Sequence, residues 1–132
     1  MRKSKVFVIQ YQSRFSYGAA ETFGDVRFML TEKDEIRVNP APNLLNEEII
    51  AKMEECLIHE EYSPGHDYIL LSGSPIAFIM VGMLLPDFGE VHQILKFDNR
   101  DFVYKVSTLM WDFTKPNSKS FMEKLHEHRK DT

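Results

Sequence analysis

The sequence predicts one α/β domain over residues 1–132. It should be a layered sandwich on a mostly parallel sheet, with a C-terminal antiparallel hairpin and a terminal helix. Three observations lead there. Val6-Phe7-Val8-Ile9 and Tyr68-Ile69-Leu70-Leu71 are short continuous apolar runs, the mark of strands buried on both faces. Segments with helical spacing of apolar residues separate such runs, as βαβ units require. Late in the chain, Glu90 to Asp98 and Phe102 to Leu109 flank the turn residues Asp98-Asn99-Arg100 and read as a hairpin.

The remaining elements follow in order. Ser16 is placed to cap a short helix through Phe23, with Ala19, Ala20 and Phe23 on one side and Gly24 as its stop. Asp25 to Leu30 alternates, with Val26, Phe28 and Leu30 on one face of a strand. Ile36 to Val38 is a candidate short edge strand or a loop. Two prolines between Asn39 and Asn43 forbid regular structure there. Asn46 can cap the clearest helix, whose first turn holds Glu47 and Glu48. Ile49, Ile50, Met53, Cys56 and Leu57 form its buried stripe, and Ser63-Pro64-Gly65 should end it.

After the second buried strand, Ser74 and Pro75 suit the N-cap and first position of a helix over Ile76 to Leu85, closed by Pro86. That helix is apolar all round, so it should be covered on several sides. Past Pro116, Ser118 or Ser120 can cap a last helix with Phe121, Met122 and Leu125 inward. The tail from Glu127 should fray. Trp111 and Phe113 add apolar surface that a small sheet cannot easily cover, which suits self-assembly into a homo-oligomer.

Composition removes several classes of function. At 132 residues, 43% hydrophobic and 27% charged, the chain is globular in composition and long enough to bury a core unaided. A formal net charge of −4 argues against nucleic acid as a partner. Cys56 is the only cysteine, which excludes paired-cysteine metal sites and fits a reducing, cytoplasmic setting. Nothing in the pattern requires a cofactor. Residues 68 to 85 approach the length of a membrane span, but Ser72-Gly73-Ser74-Pro75 interrupts them and no basic cluster flanks them. Membrane insertion is therefore not expected.

The same Ser-Gly-Ser-Pro turn is the best-placed candidate for function. Ligands in open α/β sheets bind beyond the carboxyl ends of the strands, where helix N-termini point N–H groups outward. Ser72, Gly73 and Ser74 lie at such an edge. Gln10, Gln12 and Arg14 join them if the first strand runs parallel. The expected ligand is a nucleotide or small anion, although Walker and dinucleotide glycine motifs are absent. A capped helix start with a glycine turn is the simpler reading of the same residues. A catalytic serine is not supported, because the order differs from G-x-S-x-G and Pro75 lacks an oxyanion-hole N–H. No histidine pair has the four-residue spacing of a helical zinc site, and solvated surface histidines are expected.

Residues 46 to 67 hold Glu47, Glu48, Glu54, Glu55, Glu60, Glu61 and Asp67 against Lys52 alone. An acidic surface of this kind can dock on a basic protein, and Glu47, Glu54, Glu55 and Glu61 are the candidate contacts. The alternative is a solvated helix face.

Asp67-Tyr68, Leu70-Leu71, Ser72-Gly73-Ser74-Pro75, Gly89-Glu90-Val91, Leu95-Lys96-Phe97-Asp98 and Tyr104 form a recognisable series. In these pieces, between His66 and Val106, the chain resembles a group of small uncharacterised phage-encoded α/β proteins. His66 stands where those proteins carry glycine. The resemblance implies a viral origin and a compact α/β fold, and it transfers no activity and no catalytic residue. The first functional expectation is thus a viral accessory protein, not an enzyme, that inhibits or regulates a host or viral protein partner. The second is a nucleotide or small-anion binding module at Ser72 to Pro75.

Overall fold

The computed structural model describes residues 2–36, 46–88, 91–110 and 121–130. Five strands form one sheet in the order β2-β1-β3-β4-β5. β1 (Lys5–Gln10) sits between β2 (Asp25–Leu30) and β3 (Tyr68–Leu70). It pairs with both in parallel, with Val8 opposite Phe28 and Leu70. β3 pairs in parallel with β4 (Val91–Asp98), and β5 (Val103–Met110) returns antiparallel to it. The mostly parallel sheet with a terminal hairpin is the architecture the apolar runs predict.

The central position of β1 explains its unbroken run. Phe7 and Ile9 face α1 (Glu47–His59) and α2 (Pro75–Leu84), joining Met53, Leu57, Ala77, Met80 and Val81. Val6 and Val8 face the other way, under Tyr17 and Ala20. All four β1 residues are fully buried.

The polar anchor of the sheet's amino edge is Asp67. Its carboxylate accepts from the Arg2 guanidinium at 2.8 and 2.5 Å and from the N–H groups of Lys5 (2.9 Å) and Ser63 (2.7 Å). Asp67 thus leaves the acidic surface altogether. Glu60 does so in part, through Lys5 and Arg27 at 3.3 and 3.2 Å.

Several expected details differ. The segment after Ser16 is a 3-10 helix, Gly18–Thr22, without a side-chain cap; Ala20 is buried and Ala19 exposed. Gly24 is not a left-handed stop. A Cβ there would collide with the Ser4 carbonyl, so glycine permits the close approach beside β1. In β2, Phe28 is exposed, while Met29 and Leu30 are both buried. Asn46 is left-handed (φ 52°) and makes no side-chain cap.

Helix α1 stops at His59, well before Ser63. The N–H groups of Glu61 and Tyr62 return to the carbonyls of Ile58 (3.1 Å) and Leu57 (2.8 Å), and Glu61 is left-handed at φ 54°. This is a Schellman ending with glutamate in the glycine position. Helix α2 is not covered on several sides. Ile76, Ile79 and Met83 are exposed, on the side away from α1 and the sheet.

Helix α3 (Phe121–Lys130) includes residues 127–130 of the tail expected to fray, and the rest of that tail lies outside the described residues. Phe121 and Met122 are exposed rather than inward, and only Leu125 is half-buried. Histidine exposure also differs. His92 is buried against Tyr62, with 2.6 Å between Tyr62 Oη and His92 Nδ1, and His66 Nε2 lies 2.9 Å from the Arg2 carbonyl. The expectations for Arg37-Val38, Asn39–Asn43, Trp111, Phe113, Ser118 and Ser120 lie outside the described residues.

Candidate functional site at the strand tips

Where β1 ends, the chain turns toward β2; where β3 ends, it turns toward β4 on the other side. Such a reversal leaves an opening between neighbouring strands at their carboxyl ends. Here the opening is a cleft of about 610 Å³. Its walls come from the loop after β1 (Gln12 to Ala19), the end of β3 (Leu70 to Gly73) and the end of β4 (Lys96, Phe97, Asn99). Tyr104 of β5 and Phe78 of α2 complete it from opposite faces of the sheet.

The floor is a fixed polar network. Tyr17 Oη lies 2.9 Å from Ser72 Oγ and accepts from the Gln12 N–H at 3.0 Å. Ser72 Oγ also reaches Gln12 Oε1 at 3.4 Å. Both hydroxyls are buried within this set, which orients Gln12 and holds the loop after β1 to β3.

The rim is cationic and aromatic. Arg14 lies over the Phe15 ring, 4.9 Å from its centroid. Phe97 and Tyr104 meet edge to face at 5.3 Å. Burial, and then the neighbouring Tyr17, raises the Tyr104 pKa above the ordinary phenol value, so it stays neutral at physiological pH. Lys96 stands opposite Lys105 across the hairpin. Lys105 is neutralised by Asp98 (2.6 Å) and Asp101 (2.9 Å). Among the described residues, neither Arg14 nor Lys96 forms an ion pair, so both present charge to the cleft.

The six residues singled out in the sequence divide. Gln12, Arg14, Ser72 and Gly73 line the cleft. Gln10 does not; its amide donates to the carbonyls of Thr31 (3.2 Å) and Asp34 (2.8 Å). Gly73 is pressed onto Gln10 at φ +106°, where an added Cβ would lie 2.6 Å from Gln10 Oε1. Ser74 also stays out. Its hydroxyl accepts from the Ile76 N–H at 3.2 Å and its carbonyl from the Ala77 N–H at 2.9 Å. With Pro75 lacking an N–H, the start of α2 is satisfied by its own residues.

Phe15, Tyr17, Phe78, Lys96, Phe97, Asn99 and Tyr104 were not singled out. Lys96 to Asn99 meet the carboxyl-edge rule, since they lie at the end of a strand that pairs in parallel with β3. Of the acidic candidates, Glu47, Glu54 and Glu55 are exposed on α1, with Glu54 and Glu55 one turn before Ile58, which is 59% exposed. Glu61 is exposed beyond the helix end.

Fold and cleft together define a small doubly wound α/β protein with a pre-formed cavity at its switch point. The sequence profile of the family described as Phage Pam3 gp32-like protein matches residues 4–110. The match runs through all five strands, and the chain belongs to this family. That places it among small phage-encoded proteins, as residues 66–106 imply. Neither curated proteins nor solved structures contain a match to the chain.

Proposed function

We propose that this phage protein is a non-enzymatic binding module whose cleft takes a small planar anion of the nucleotide class. One observation carries the reading: Arg14 and Lys96 converge with Phe15, Phe97 and Tyr104 around a single cavity at the switch point. Its size falls in the ordinary range for small-molecule sites. Cations attract the anion, rings stack on a flat heterocycle, and the Gln12 and Asn99 amides suit its polar edge. The anion belongs at Arg14 and Lys96 rather than at the start of α2, whose first N–H groups are already bonded.

The test is a thermal-shift series with nucleoside mono-, di- and triphosphates. A true ligand at a hundred times its Kd should add about 2.7 kcal/mol of stability. Arg14→Ala with Lys96→Ala should remove that shift. A flat response to every nucleotide would sink the reading.

A second reading is favoured by the exposed Ile58 beside Glu54 and Glu55, with Glu47 exposed at the other end of the helix. An apolar centre with an acidic rim suits a basic protein surface, as expected of a regulator working in the host cytoplasm. Lysine replacement at Glu47, Glu54, Glu55 and Glu61 should weaken capture of such a partner. Unchanged affinity would count against it.

A further inference from the structure

We propose that α3 of one copy docks on the outer face of α2 of a second copy, and that the exchange is reciprocal. This rests on the protein-partner reading and names the partner.

Two exposed surfaces among the described residues are complementary. Helix α2 has no charged residue, and its outer side shows Ile79 at 67% and Met83 at 64% exposure. Beside it on the same face of the sheet, α1 presents Glu47, Glu54 and Glu55 outward. The result is an apolar strip with an acidic border. Helix α3 has the opposite character. Phe121 is 75% and Met122 63% exposed, on the side that Leu125 shares, and the last turn carries His128, Arg129 and Lys130. Over its length α3 holds three Lys or Arg against two Glu, whereas α1 holds four Glu against one Lys.

An amphipathic helix with no fully buried residue lacks much of the packing that normally stabilises a helix in water. Laying Phe121, Met122 and Leu125 along Ile79 and Met83 supplies that packing, the helix-in-groove mode of recognition. The basic last turn then meets the acidic border. Reciprocal exchange places two identical contacts about a two-fold axis, so the assembly closes as a dimer.

The test uses the full chain and two variants: Ile79→Glu, which spoils the receiving face, and a chain ending at Ser120, which lacks α3. Sedimentation equilibrium up to about 1 mM should show a dimer for the full chain. Each variant alone should be monomeric, with Kd raised at least about tenfold, because an unpaired buried charge or a missing helix removes both contacts. Mixed together, they should form a heterodimer weaker than the parent, since one α3 and one intact α2 face remain. Circular dichroism confirms folding of each variant, both changes being at exposed positions. Four results would overturn the proposal: a monomeric full chain, a dimer that persists in either variant, absence of the mixed heterodimer, or α3 protecting α2 from hydrogen exchange within a monomer. Capture of a different basic protein by a monomeric chain would keep the protein-partner reading while sinking this one.

Discussion

Asp67 is a fully buried charge whose cost is offset by four hydrogen bonds. Burial raises its pKa, but the bonds from Arg2, Lys5 and Ser63 outweigh burial and leave it below the ordinary carboxylate value. A folded-state pKa below the unfolded value of about 3.9 stabilises the protein at all higher pH, and the contribution is lost as pH falls through the folded value. Asp67→Asn should therefore lower stability at pH 7 by about 2 kcal/mol, less than breaking a fully buried pair costs because Arg2 is partly exposed. Urea titrations of both proteins should show the gap closing below about pH 4. A gap that stays constant to pH 2.5 would refute the assignment. Glu61 gives the opposite sign. It holds a left-handed conformation that costs a non-glycine residue about 1 kcal/mol, so Glu61→Gly should raise stability by about 0.5 kcal/mol in the same titration. The sequence hid both roles for one reason. Side-chain type marks Asp67 and Glu61 as surface acids, and only the partner or the backbone angle reveals otherwise.

The helix α2 shows how far local chemistry can be read and where it stops. Serine followed by proline predicts a cap and a first helical position, and the structure has both: Ser74 accepts from the Ile76 N–H, and Pro75 opens the helix. Ser74→Ala should cost about 1 kcal/mol of stability and leave any nucleotide-induced thermal shift unchanged, since the hydroxyl is outside the cleft. A reduced ligand shift in that variant would return the anion to the helix start. Strand existence was equally legible, because continuous and alternating apolar runs report burial on two faces or one. Element ends were less so. Helix α1 ends on a glutamate in the glycine position, which contradicts the usual stop signal. The connection after β1 folds as a 3-10 helix without a side-chain cap, and a serine near its start gives no warning of that.

At the scale of the molecule, α/β layering and the parallel sense of the sheet followed from the order of runs, but strand order did not. It depends on which face each crossover takes, and that is a property of packing. The cleft inherits the same dependence: Arg14, Ser72, Lys96 and Tyr104 are far apart in sequence and meet only because β1, β3 and β4 end at one edge. The amphipathic pattern of α3 likewise announces an apolar side without saying what covers it. Its consequence for stability is direct. Since α3 buries no residue within the chain and the family match ends at Met110, a chain ending at Ser120 removes no core contact. In dilute solution its unfolding free energy should fall by less than about 0.5 kcal/mol, a shift in Tm of no more than about 2 °C. At higher concentration the two proteins should diverge. The full chain gains stability by mass action as copies exchange α3, so its Tm climbs with concentration, while that of the shortened chain stays level. Differential scanning calorimetry over a hundredfold range of concentration separates the cases. A large loss of Tm in dilute solution would show that α3 belongs to the core of its own chain. Parallel behaviour at every concentration would show that it binds no second copy.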